Sequence, residues 1–243
     1  MGQSAGAISA YALLANEQAR KSFNKVILQS GRYDSFETPD TAAKKAENLA
    51  DIAGVTPDAL KTLSVEDILD AQSKLARQNA EFAATNIPLM PVADGKIIPD
   101  GVHKAAIIGA QGKKVMIGFA HDEMHAFLAG NPDIENASDA QIEDVFKRDF
   151  GDRWQVMLNY CRNQQPGATP MEILSSGLNE ANFAGQTCDF AAELTSKGID
   201  TWLYRVDVAP PKSTYRACHC IELPFVFNTF DRWMPPMIAG LDS

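Results

Sequence analysis

No cluster of lysine and arginine occurs anywhere along the 243 residues, and the formal net charge is −9, from 22 Lys+Arg against 31 Asp+Glu. Phosphate-backbone binding needs a concentrated basic face, so nucleic acid is not expected as a partner. No apolar run approaches the length required to span a bilayer, and no membrane span is expected. Met1 is not followed by a basic segment and an apolar stretch, so no secretory signal is legible. If Met1 is the natural start, the chain is expected in the cytoplasm; otherwise its compartment is unknown. Cysteine is scarce: Cys161, Cys188, Cys218 and Cys220 do not make a disulfide scaffold in a chain this long. Only His219 separates Cys218 from Cys220, which suits neither a mutual bridge nor a zinc spacing, so free thiols are expected. Internal repeats and low-complexity tracts are also missing. What remains is an ordinary globular balance, 45% hydrophobic and 22% charged.

Three short apolar runs bounded by turn residues predict strands: Lys25–Gln29, Lys114–Phe119 and Thr201–Val206. Their continuous apolar character predicts burial on both faces of a parallel sheet. Helical patterns lie between them. Thr38 and Pro39 offer an N-cap and a first-position proline, and Gly54 a stop. Ser64 to Arg77 is a second helix, with Ser64 and Asp67 at capping-box spacing. Ser138 and Gln141 form another such box, ahead of Ile142, Val145, Phe146 and Phe150 at helical spacing. Phe183 to Lys197 predicts a helix closed by Gly198. His103 falls on a predicted surface helix, whereas 131–137 and 164–169 predict loops. Trp154, Trp202, Trp233, Phe225 and Phe227 are expected as core or loop anchors. Strands alternating with helices give an α/β class, with a parallel sheet of at least three strands and flanking helices.

Three segments carry chemistry. Gly2-Gln3-Ser4-Ala5-Gly6 fits G-x-S-x-G, a strand-to-helix turn that lifts a serine hydroxyl above a sheet, with the glycines Gly2 and Gly6 expected where backbones crowd. The amide of Ala5, the residue after the serine, would be one oxyanion donor, and a helix N-terminus there favours negative charge. Taken alone, the pentapeptide is equally a small-residue turn or leader. Glu123 lies just past the strand ending at Phe119, where α/β enzymes place functional groups. A capping Asp122 with a solvated Glu123 would explain the same residues. His219 sits in a loop after the third predicted strand and could reach the serine as a base, although a lone loop histidine is often incidental. The order serine, acid, histidine is that of the α/β hydrolases.

Five segments then carry a resemblance. GQSAGA at the start, FNKVILQSG after it, PVADGKIIPD, IGFAHDEMHAF and ACHCIELPFVF resemble, in order, the conserved-motif segments of type B carboxylesterases and cholinesterases. The resemblance implies a partial α/β-hydrolase fold, with residues 1–243 as its C-terminal portion. It implies a serine ester hydrolase acting on a small-molecule carboxylic ester through Ser4, Glu123 and His219 and an acyl-enzyme. Family members are about twice this length, and the half not represented here would supply the Gly-rich oxyanion loop and the strand leading into the serine turn. Feeble hydrolysis by the isolated chain is therefore expected. That other half, or a second copy meeting an open sheet edge, is the expected protein partner.

The sequence departs from the family pattern at Gln3 (usually Glu) and at Met124, Arg216 and Cys220 (usually Gly). Loop geometry is in question at Met124 and Cys220, because glycine tolerates positive φ and they do not. Two other readings compete: a non-catalytic cholinesterase-like binding domain, and a metal site from His121, Glu123, His125, Cys218, His219 and Cys220. The H-D-E-M-H order is not a zincin spacing, so neither metal nor cofactor is expected.

Overall fold

The computed structural model describes residues 1–85 and 87–241. Four parallel strands lie side by side in chain order: β1 (Gly2–Gln3), β2 (Lys25–Gln29), β3 (Lys114–Ala120) and β4 (Asp200–Val206). Parallel neighbours cannot be joined by tight hairpins, so helices fill every crossover. Helix α1 (Ala5–Ala15) joins β1 to β2. The next crossover holds α2 (Pro39–Ala53), α3 (Val65–Gln78) and α4 (Val102–Ala110). The last holds α5 (His125–Leu128), α6 (Pro132–Glu135), α7 (Asp139–Phe150), α8 (Trp154–Gln164), α9 (Pro170–Asn179) and α10 (Gly185–Ser196). A short α11 (Leu223–Phe227) follows β4. Among the described residues no helix is long and apolar enough to cross a membrane.

The helix ends obey local rules. Thr38 caps α2 by accepting the Thr41 amide, and Gly54 closes it at φ 69°. Ser138 and Gln141 cap α7 reciprocally, and Thr169 and Glu172 do the same for α9. Ile142, Val145 and Phe146 of α7 are buried. They join Phe119, Met124, Leu174, Leu178 and Phe183 in a helical lobe beyond the end of β3. A separate core under the sheet joins Val26, Leu28, Val115 and Ile117 to α1, α4 and α10.

Several expectations need correction. The sheet is buried on one face only. Ile27, Met116 and Trp202 align across three strands by register, and Met116 and Trp202 are 43% and 53% exposed. A run of Val, Ile, Leu and Met reads alike whether one face or both are covered, so the sequence could not separate the cases. A strand precedes Ser4 after all: β1 is two residues long and exists by pairing with β2. The predicted helix start at Phe183 lies inside a continuous helical path, because a π-turn (Glu180–Ala184) joins α9 to α10. Its extra residue per turn breaks the 3.6-residue pattern there. The loop expected at 131–137 holds the single turn α6, capped by Asn131, too short to show periodicity. Phe225 and Phe227, like Trp202, are exposed and not core anchors.

Candidate active site

All four strands end on the same rim, and the singled-out residues lie there. The N–H of Ser4 donates to the Gln29 carbonyl at 2.9 Å, pinning the β1–α1 turn to β2. Ser4 itself takes φ 55° and ψ −122°, a conformation L-residues rarely adopt. Such strain at a polar residue points to a functional turn. Crowding explains the glycine at position 2, where a Cβ would lie 2.0 Å from the Gly6 carbonyl oxygen. It does not explain Gly6, whose missing side chain faces open space. Helix α1 starts at Ala5, so that amide has no intrahelical acceptor.

Glu123 follows β3 and is fully buried, which rules out the solvated alternative. Its Oε1 accepts the Ala120 amide at 2.7 Å and its own amide donates to Asn179 Oδ1 at 3.0 Å. The remaining oxygen, Oε2, accepts from His219 Nδ1–H at 2.5 Å. The backbone around it is laced to the histidine loop. Asp122 N–H donates to the Ala217 carbonyl at 2.9 Å, Ala217 N–H returns to Asp122 Oδ2 at 3.2 Å, and His219 N–H donates to the Glu123 carbonyl at 3.3 Å. Phe127 and Phe183 flank the His219 ring, with centroids 5.2 and 5.3 Å away. Burial alone would lower the His219 pKa, but the neighbouring Cys220 sulfur and the Glu123 carboxylate outweigh it and raise it to about 10.

The structure therefore brings Glu123 and His219 into direct contact. Ser4 reaches the same rim less directly. No Ser4–His219 hydrogen bond forms among the described residues; the Gln3 amide lies 3.4 Å from His219 Nε2, placing the Ser4 turn against the imidazole. Of the six residues weighed as a metal set, His121 pairs with Asp122, His125 with Ser175, and Glu123 with His219. Among the described residues no group of three or more metal-ligating side chains converges. The cysteines are free thiols.

A family model described as the carboxylesterase family matches residues 1–232. The chain belongs to that family. It is 30% identical over 239 residues to the para-nitrobenzyl esterase of Bacillus subtilis, covering 95% of this chain and 46% of that protein. It is 29% identical to a probable N-octanoylanthranilate hydrolase of Rhodococcus erythropolis, over 99% of this chain and 48% of that protein. Among solved structures, a Geobacillus stearothermophilus carboxylesterase superposes with a TM-score of 0.80 at 26% identity, over 100% of this chain and 49% of the other. The chain spans about half the length of the curated relatives it matches, and its four-stranded sheet is about half of the α/β-hydrolase fold.

Against the family pattern, the substituted glycines separate into two kinds. Cys220 and Arg216 hold positive φ, at 72° and 54°, so side chains stand where glycine would be relaxed. Met124 sits at φ −72° and needs no glycine; its side chain is fully buried in the helical lobe. Sequence reasoning missed Asn179 and the aromatic pair around His219. Asn179 gives no signal in sequence, since it is one polar residue in a helix; Phe127 stood within a quoted motif without a role.

Proposed function

We propose that this chain is the C-terminal portion of an α/β-hydrolase domain and acts as a carboxylic ester hydrolase through Ser4, His219 and Glu123. The buried Glu123–His219 hydrogen bond, with the strained Ser4 turn against the same imidazole, carries the reading. His219 Nε2 takes the Ser4 hydroxyl proton as Oγ attacks the ester carbonyl carbon. The Ala5 amide donates to the resulting oxyanion. Collapse expels the alcohol, which takes its proton from His219, and leaves an acyl-Ser4. Water then attacks that ester through the same base and releases the acid. Glu123 holds the imidazole with Nδ1–H toward the carboxylate and stabilises the imidazolium.

A base held up near 10 is protonated at neutral pH, so turnover rises with pH through that value. The open row Ile27, Met116 and Trp202 supports a protein partner on the sheet, either the rest of the hydrolase fold or a second copy. A fluorophosphonate probe followed by peptide mapping tests the chemistry: label is expected on Ser4 and absent from Ser4→Ala. No label on Ser4 sinks the proposal for this chain. Equal nitrophenyl-ester turnover in the wild type and Ser4→Ala would instead favour a non-catalytic binding domain.

A further inference from the structure

Three polar side chains of α9, Glu172, Ser175 and Asn179, stand at i, i+3 and i+7. That spacing puts them on one face of the helix. The other side is packed from behind: Leu174 and Leu178 are buried in the helical lobe. A Cβ at Gly177 would lie 2.3 Å from the Phe146 ring, so α7 approaches closely there. The polar face is not turned to solvent, since Ser175 is 1% and Asn179 6% exposed. Buried polar groups are costly unless they are hydrogen-bonded. Each of these is bonded.

All three bonds end on the segments that carry Glu123 and His219. Asn179 Oδ1 accepts the Glu123 amide at 3.0 Å. Ser175 Oγ lies 2.7 Å from His125 Nδ1, and the His125 amide donates to the Asp122 carbonyl at 2.9 Å, so this bond holds the same turn. Glu172 Oε1 accepts from the Arg216 guanidinium, which belongs to the histidine loop. Its Oε2 accepts the Thr169 amide in the capping box, which fixes the carboxylate. Just past Asn179, the π-turn carries Phe183 to 5.3 Å from the His219 ring. One helix and its extension thus touch the backbone of the acid, the turn after it, the loop bearing the imidazole and the ring itself. The Glu123–His219 bond joins segments 96 residues apart. A bonded, buried polar face on a helix packed from behind is a rigid support for such a bond.

We propose that Glu172, Ser175 and Asn179 are positioning residues, a polar ladder on α9 that holds the Glu123 carboxylate against the His219 ring. Its consequence for ester hydrolysis rests on the function proposed above; the positioning itself does not. Two measurements separate them. The ring nitrogens of His219, followed by 15N NMR, report the bond to Glu123 directly, and the rate of Ser4 labelling by a fluorophosphonate reports the consequence. Asn179→Leu, close in size but without an acceptor, is expected to shift the His219 Nδ1 resonance and slow labelling about tenfold, the worth of one hydrogen bond. Ser175→Ala is expected to act in the same sense, about threefold. The smallest shift is expected for Glu172→Gln, which keeps the capping box. Leu49→Ala opens a cavity in the separate cluster between α2 and α3 and is expected to lower stability while the His219 resonances stay in place. Resonances unmoved in both Asn179→Leu and Ser175→Ala, or moved as far in Leu49→Ala, would overturn the proposal. Should Asn179→Leu not fold, Ser175→Ala decides alone. Resonances that move while Ser4 goes unlabelled even in the wild type would sink the hydrolase reading and leave the positioning standing.

Discussion

The two halves of the candidate active site are built differently. Around Glu123 and His219, the turn after β3 and the loop at 215–222 exchange three backbone-linked hydrogen bonds, and the carboxylate and imidazole are buried together. Around Ser4, a two-residue edge strand and one hydrogen bond from its N–H to the Gln29 carbonyl hold a turn that stays partly exposed. The first half is fixed by packing and buried polar pairing. The second is fixed by backbone sterics, with the strain of Ser4 held by the close approach of Gly2 to the Gly6 carbonyl. A carboxylate–imidazole pair can thus be secured within a partial fold, while the serine turn leans on few contacts.

The sharpest way to break this contrast is Glu123→Ala. It leaves a buried imidazole without its carboxylate and is expected to cost about 3–5 kcal/mol in urea denaturation. A loss below 1 kcal/mol would mean that the pairing does not hold that half together. Gly2→Ala attacks the other half. Its Cβ would strike the Gly6 carbonyl, with an expected cost of about 1–3 kcal/mol, and Ser4 labelling should fall with it. A stability unchanged by this variant would show that crowding does not shape the turn.

Cys220→Gly is expected to act in the opposite sense, gaining about 1 kcal/mol by removing a side chain at φ 72°. It also withdraws the Cys220 contribution to His219. A histidine raised in the folded state stabilises fully below its unfolded pKa near 6.5, and that contribution fades as pH rises through about 10. In Cys220→Gly the fade, and the His219 ring titration followed by NMR, should move to lower pH; an unmoved titration would leave Glu123 as the whole cause. The smallest stability effect is expected for Ser4→Ala, within about 0.5 kcal/mol. Its circular dichroism melting curve should overlay the wild type even though labelling is lost.

How much of this was legible beforehand depended on the range of the interaction involved. Caps at Thr38, Ser64 and Ser138 and the stop at Gly54 act over three or four residues, and they stand where the sequence placed them. The three predicted strands also stand, within a residue at each end. The π-turn escaped because it breaks the very periodicity used to find helices, and the exposed sheet face because apolar runs do not say what covers them. Asn179 escaped because nothing local marks a residue whose role is to receive the Glu123 amide from 56 residues away.

By itself, then, the sequence determined the three longer strands, the helix caps at Thr38, Ser64 and Ser138, the α/β class and the chemical identity of a hydroxyl, a carboxylate and an imidazole in hydrolase order. Only the tertiary structure decided that Glu123 is buried against His219 and that Gln3 abuts the imidazole. Capping and periodicity are encoded between near neighbours in the chain. Desolvation and partner choice arise only when segments about a hundred residues apart are packed together.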